Sequence, residues 1–328
     1  MSDQKSSNQK TSIYKPLHQK NVGQSTLSIW GGEQEHELYE RETQVPVVHS
    51  VSYTYKDIDT WQNVALEKEA GHIYSRNTNP TVRAFEDKVK ELEGAEAATS
   101  FSSGMAAISN VLGTFLKPGD RVVSIKDSYG GTNKIFNDFL PPLNIDVTLC
   151  NTVDYAAIEA EIGKGCTILY LETPTNPTIK IMDIKRLAVV AKKFGALVVV
   201  DNTFATPINQ NPLALGADIV LHSASKYLGG HADALGGVIC GSKALVKQVY
   251  HYREINGATL SPMDAYSFIR GMKTLKLRVE RQNDNAMTMA RWLEKHPMIE
   301  QVNYPGLESH ANHDVAKIQM RGYGGMLS

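Results

Sequence analysis

Five short apolar runs recur between residues 121 and 223 of this 328-residue chain: RVVSIKD (121–127), IDVTLC (145–150), CTILYLE (166–172), ALVVVD (196–201) and DIVLHS (218–223). Unbroken stretches of this length, rich in Val and Ile, are the signature of strands buried on both faces. Helix-like text lies between several of them. VDYAAIEAEIGKG (153–165) is one such segment, and IMDIKRLAVVAKKFG (181–195) is another, with Lys192 and Lys193 in its last turn and Gly195 as a stop. The alternation predicts an α/β fold: a mostly parallel sheet with helices on both faces. After SPMD (261–264) a long helical pattern runs to about His296 and leads toward a smaller C-terminal domain.

Composition narrows the function classes. Lys plus Arg number 34 and Asp plus Glu 35, so the chain lacks the basic surplus of a nucleic-acid binder. No apolar stretch reaches the ~18 residues of a membrane span, and the polar start, MSDQKSSNQKTSIYKPLHQKN, has no signal-peptide core. It reads as an extended or disordered arm. Cys150, Cys166 and Cys240 stand far apart and read as buried thiols of a reducing compartment, so a cytoplasmic location is expected.

In open α/β sheets, ligands sit beyond the carboxyl ends of the strands. Three polar residues fall there: Glu172 ends one run, Asp201 ends another, and Lys226 follows a third. No G-x-G-x-x-G opens a helix, and no G-x-x-x-x-G-K-[ST] is present, which removes the fingerprints of a nicotinamide cofactor and of a nucleoside triphosphate. A lysine with a buried aspartate suits pyridoxal 5'-phosphate, which needs an amine for a Schiff base and an acid opposite its pyridinium nitrogen. Lys226 is the amine and Asp201 the acid. SFSSGMAAISN (100–110) provides a phosphate cradle, with Ser102, Ser103, Gly104 and Met105 at or before a helix N-terminus whose free N–H groups favour an anion. Ser223 and Ser225 add hydroxyls, and Tyr129 supplies an aromatic face for the ring. No metal centre is expected: His310 and His313 in SHANH read as a solvated turn, because no set of metal-ligand residues accompanies them. Gly229, Gly230, Gly236 and Gly237 read as turn residues. Arg270, Lys273, Lys276 and Arg278 read as a solvated helix face, and His222 as a buried histidine behind the site.

Eight segments in order resemble the Cys/Met-metabolism PLP-dependent enzymes, the family of cystathionine γ-synthase, cystathionine γ-lyase and methionine γ-lyase. They are YSRNTNPT (74–81), SSGMAA (102–107), YGGTN (129–133), ETPTNPT (172–178), DNTFATP (201–207), HSASKYLGGHAD (222–233), RGMKTLKLR (270–278) and YPGLESH (304–310). The resemblance implies the type I PLP (aspartate-aminotransferase-like) fold, in a homodimer or homotetramer acting on small amino-acid substrates. It divides the chain into an N-terminal inter-subunit segment (1–70), a large cofactor domain (71–257) and the start of a C-terminal domain (258–328). It implies that Lys226, Tyr129 and Asp201 are catalytic. It also implies that Tyr74, Arg76, Ser103, Gly104, Met105, Glu172, Asn176, Ser223 and Ser225 bind the cofactor, with Tyr74 and Arg76 reaching the phosphate of a neighbouring subunit.

Departures from the family pattern guide the subtype. Val48 and His49 replace a usual Tyr and Gln near the entrance, and Ser225 replaces a threonine while keeping the hydroxyl. Gly131 stands where methionine γ-lyases carry cysteine. The tryptophans of cystathionine β-lyases and of O-acetylhomoserine sulfhydrylases are absent from the matching segments. The expectation is γ-replacement that forms cystathionine, with γ-elimination as the alternative. The chain stops at GYGGMLS, where the family continues for several tens of residues, so a truncated C-terminal domain is expected. A non-catalytic scaffold lacking the substrate arm is the rival of another class.

Overall fold

The computed structural model describes residues 22–32 and 42–328; the expected polar arm lies outside them. Seven five-residue strands form one sheet in the order β1-β7-β6-β5-β4-β2-β3. They are β1 (Ala97–Phe101), β2 (Arg121–Ile125), β3 (Asp146–Cys150), β4 (Ile168–Glu172), β5 (Leu197–Asp201), β6 (Ile219–Ser223) and β7 (Gly237–Gly241). Strands β2 to β6 pair in parallel, and β7 runs antiparallel to both β1 and β6. All five apolar runs are strands. The sequence reading missed β1 and β7. Gly237, read as a turn residue, opens β7; AATSF and GVICG are too rich in small residues to announce themselves as strands.

The helices are α1 (Gln24–Trp30), α2 (Ile58–Ala65), α3 (Pro80–Glu93), α4 (Gly104–Phe115), α5 (Gly130–Lys134), α6 (Tyr155–Gly163), α7 (Ile184–Lys193), α8 (Thr206–Asn209), α9 (Lys243–Asn256), α10 (Pro262–Met272), α11 (Leu275–Leu293) and α12 (His313–Gln319). Their starts are written in caps. Asn79 accepts from the N–H groups of Thr81 and Val82 with Pro80 at the first position, and Ser103 accepts from Ala106. Strand periodicity sorts the two faces. Tyr170, Val199, Ile219, Leu221 and Ile239 pack with α4 and α9 on one face. On the other face, Leu169, Leu171, Val198 and Val200 pack with α6 and α7, and Val238 and Cys240 pack with α3 and α10. Among the described residues, no helix is long and apolar enough to cross a membrane.

The helical pattern expected from 264 to 296 is two helices. The Gly271 carbonyl, which an unbroken helix would offer to the N–H of Leu275, is taken by Thr274 N–H (3.3 Å), the Thr274 hydroxyl (3.2 Å) and Arg278 Nη2 (3.0 Å). The chain turns at Lys273–Thr274 as a result. Arg278 is therefore not part of a solvated face. His310 and His313 are likewise not a solvated turn: His310 is buried against the Ile179 carbonyl (3.1 Å), and His313 Nδ1 meets the Pro305 carbonyl (2.9 Å). Of the cysteines, Cys150 and Cys240 are buried and Cys166 is half-buried.

Candidate active site

Parallel pairing brings the candidate residues to one edge. Glu172 and Asp201 are direct partners across β4 and β5, and Asp201 pairs with Leu221 in β6. With a period of two, Tyr170, Glu172, Asp201 and Ser223 face the α4 side, while Asn202 and His222 face the opposite side. The N-terminus of α4 meets Ser223 directly. A Cβ added at Gly104 would lie 2.7 Å from Ser223 Cβ and 2.9 Å from its Oγ, so only glycine lets the helix start approach the strand end so closely. This helix N-terminus beside a serine is a cradle for a phosphate. Ser103 Oγ caps the helix, and Met105 reaches Gly131 and the Tyr129 loop, where a Cβ on Gly131 would meet Met105 Sδ at 2.6 Å and Tyr129 at 2.8 Å.

Glu172 ties two loops together. One carboxyl oxygen accepts from Tyr129 N–H (2.7 Å) and the other from Asn176 N–H (2.9 Å). Tyr129 is exposed, with its ring free on the rim, and Asn176 is half-buried. Asp201 Oδ1 accepts from Thr203 N–H (2.9 Å), and Thr203 Oγ1 in turn accepts from Ser223 N–H (2.9 Å). Thr203 thus links the acid to the cradle. The sequence reading overlooked it, and its place two residues after Asp201 was the available signal.

Two buried carboxylates lie side by side here, and neither forms an ion pair within 4 Å among the described residues. Burial, and then the neighbouring Asp201, push Glu172 up to about 8; burial also raises Asp201. The Tyr170 hydroxyl, buried and without a hydrogen-bond partner among the described residues, is held neutral by burial and then by both acids. A site with surplus buried negative charge, a helix N-terminus and an unpaired amine nearby fits pyridoxal phosphate, whose ring nitrogen carries a proton and whose phosphate is an anion.

The raised Glu172 acid has a consequence for the cofactor-free protein. The folded state keeps a proton that the unfolded chain releases near 4.5, so its stabilisation is full below that value and is lost as pH rises through about 8. The melting temperature of the cofactor-free wild type is expected to fall by several degrees between pH 5 and pH 8. Glu172→Gln should lose one loop hydrogen bond at both pH values and show a flatter slope. Equal slopes in thermal melts would refute the assignment.

Lys226 follows β6 in a turn held by Lys226 N–H to the Ser223 carbonyl (3.2 Å) and Gly230 N–H to the Lys226 carbonyl (2.7 Å). Its side chain is exposed, and its ammonium has no hydrogen bond or ion pair among the described residues. Arg278, assigned no site role from sequence, fastens this turn from α11: Nη1 donates to the Tyr227 carbonyl (3.0 Å), and its guanidinium occupies the space a Cβ on Gly230 would need. Ser225 Oγ accepts from Gly236 N–H (3.0 Å); its own contact to the Gly236 carbonyl is long at 3.4 Å, which leaves its proton available to a better acceptor. Tyr74 and Arg76 are not drawn into this cluster. They are exposed and contact each other, with the Arg76 guanidinium 5.3 Å from the Tyr74 ring centre. Val48 is tied to Thr81 and Asn79 through its backbone, and His49 is exposed. A separate cavity of about 280 Å³, lined by residues including Val153, Asn303 and His310, contains none of the cluster.

This architecture defines an α/β enzyme that holds its cofactor at the carboxyl edge of a mostly parallel sheet: the type I PLP fold. The chain belongs to the Cys/Met metabolism PLP-dependent enzyme family, whose profile matches residues 25–328. It is 45% identical over 280 residues to a cystathionine γ-lyase of Bacillus subtilis, covering 85% of this chain and 74% of that one. It is 43% identical over 284 residues to the chloroplastic cystathionine γ-synthase 1 of Arabidopsis thaliana, covering 86% of this chain and 50% of that protein; the match thus spans about half the length of that relative. Among solved structures, metB from Corynebacterium glutamicum superposes with a TM-score of 0.88 at 37% identity, covering 94% of this chain and 78% of the other. The chain is thus an enzyme of a PLP-dependent family that includes synthases and lyases of sulfur amino acids.

Proposed function

We propose that this enzyme acts at Cγ of an amino acid and forms cystathionine from an O-acylhomoserine and cysteine. The observation that carries the reading is the unpaired Lys226 amine on the same sheet edge as the Asp201–Glu172 pair and the Gly104–Ser223 cradle. Bound there, pyridoxal phosphate supplies an electron sink for negative charge formed beside the substrate nitrogen.

The protein groups divide the remaining work. The N–H groups of Gly104 and Met105, with the hydroxyls of Ser103, Ser223 and Ser225, take the phosphate. Asp201, oriented by Thr203, accepts from the ring nitrogen and keeps its proton in place. Tyr129 covers the ring, at a height fixed by its N–H bond to Glu172, and Asn176 is held on the other side of the same carboxyl. Lys226 would carry the cofactor at rest. Once freed by the substrate amine, Nζ would take the Cα proton, pass it to the bound cofactor and so regain its lone pair, and then take a proton from Cβ, so that the γ substituent leaves with its bonding pair. A cysteine thiolate would then add at Cγ, with the borrowed protons returned to Cβ and Cα. Tyr74 and Arg76 serve the phosphate of a neighbouring copy; among the described residues no hydrogen bond or ion pair ties their side chains to the cluster of their own chain, which supports that assignment.

The early steps are shared with γ-elimination, and the 45% identity to a cystathionine γ-lyase favours that as a second reading. The two are separated by supplying O-succinyl- or O-acetylhomoserine with and without cysteine, and cystathionine alone. Cystathionine formed only when cysteine is present supports the synthase. Faster release of cysteine, a 2-oxo acid and ammonia from cystathionine assigns the lyase. No turnover with any of them, in a protein that binds the cofactor, returns the scaffold reading.

A further inference from the structure

A second polar cluster lies directly behind the site, on the opposite face of the sheet, and the chemistry above does not use it. Its centre is Glu93, the last residue of α3, whose side chain is fully buried. One carboxyl oxygen contacts His222 Nε2 at 2.6 Å and accepts from Asn202 Nδ2 at 2.8 Å; the other accepts from Asn211 Nδ2 at 3.1 Å. Asn202 continues the chain of bonds. Its carbonyl oxygen accepts from Gln210 Nε2 (2.9 Å), which also donates to the Thr173 carbonyl (3.2 Å), and Gln319 Nε2 donates to Gln210 Oε1 (2.9 Å).

The register gives this cluster its meaning. Three of its members are chain neighbours of site residues: Thr173 follows Glu172, Asn202 follows Asp201, and His222 precedes Ser223. Alternation along a strand sends neighbours to opposite faces, so a bond made behind the sheet fixes the position of the group in front. Three strand ends are joined in this way, and Glu93 binds two of them itself. A fully buried carboxylate is strongly destabilising unless it is paired and its lone pairs are filled. Glu93 meets that condition through His222 and the two asparagine amides. His222 also works against the rise that burial imposes on Asp201.

We propose that Glu93, acting through His222 and Asn202, is the positioning residue of this site: it holds the ends of β5 and β6 so that Asp201 and the Ser223–Lys226 turn meet the cofactor in one geometry. This rests on the reading that Lys226 and Asp201 bind pyridoxal phosphate. Glu93 touches neither substrate nor cofactor, so its effect is expressed in how the cofactor is held.

The test is pyridoxal phosphate titration of cofactor-free protein, followed by visible absorbance and by the circular dichroism the bound ring acquires. In Glu93→Gln, which keeps shape and removes charge, affinity is expected to fall about tenfold or more and the visible dichroism to shrink. His222→Gln should act in the same direction, and the double variant should fall well short of the product of the two effects, as coupled residues do. If Glu93→Gln does not fold, His222→Gln carries the same readouts. A lower melting temperature with unchanged affinity and dichroism would make the cluster merely structural and overturn the proposal, as would failure of both variants to fold. Failure of the parent reading looks different: wild type would then bind no pyridoxal phosphate, or bind it with no dependence on Lys226.

Discussion

In Lys226→Ala, turnover is expected to fall by ~10³-fold or more, because one substitution removes both the covalent anchor and the base that moves protons at Cα and Cβ. The melting temperature of the cofactor-free protein should stay near wild type, since the side chain is exposed and has no partner to lose among the described residues. Pyridoxal phosphate should still bind, held by the cradle alone. The decisive measurement is borohydride reduction followed by denaturing mass spectrometry: wild type should retain the cofactor covalently, and the variant should not. Two other lysines lie on adjacent loops and are poor substitutes. Lys126 Nζ is bound to Asn151 (2.8 Å), and Lys180 Nζ is paired with Asp127 (2.6 Å), so each would have to give up a partner. A variant that still carries covalent cofactor after reduction would move the anchor to one of them and sink the assignment of Lys226.

Much of the site is legible in the sequence because strand ends are legible. A run of four or five apolar residues closing on Glu172 or Asp201 marks both a buried strand and the edge where its polar terminus must sit, and parallel order then makes those termini neighbours. Lys226 stands out for the same reason. What stays hidden is contact across large sequence separations. Glu93 lies 129 positions from His222, at the end of a helix whose text is ordinary, and nothing in its neighbourhood signals a carboxylate with three donors. Arg278 is disguised differently. Its spacing with Arg270 and Lys276 matches a wet helical face, and only the break at Lys273–Thr274 turns it onto the Tyr227 and Gly271 carbonyls. The short strands β1 and β7 are obscured by composition, since Gly, Ala and Ser carry weak strand preference and gain their place from pairing with β6 and with each other.

Asp201→Asn should separate activity from stability, moving them in opposite directions. Asparagine keeps the volume and the oxygen that accepts from Thr203 N–H, so the loop after β5 and its link to Ser223 are preserved. What it removes is the negative charge. In the cofactor-free protein that charge lies buried beside Glu172 with no cation paired to either acid among the described residues, and burial raises both. Its loss relieves the repulsion and the desolvation cost together, so the melting temperature at pH 8 is expected to rise by a few degrees, with a smaller gain at pH 5, where Glu172 already holds its proton and does not repel its neighbour. Turnover should fall by about 10²–10³-fold, because a neutral amide no longer holds a proton on the ring nitrogen, and the electrostatic support for carbanion formation is lost. Parallel thermal melts and steady-state rates on the same preparation settle it. A variant that is both less stable and less active would show Asp201 to be a structural acid of the strand end. A variant that is more stable yet fully active would place the pyridinium partner elsewhere, with Glu172 as the remaining buried acid on that edge. The predicted combination, stability gained and rate lost, is what a buried charge kept for a cationic cofactor should produce.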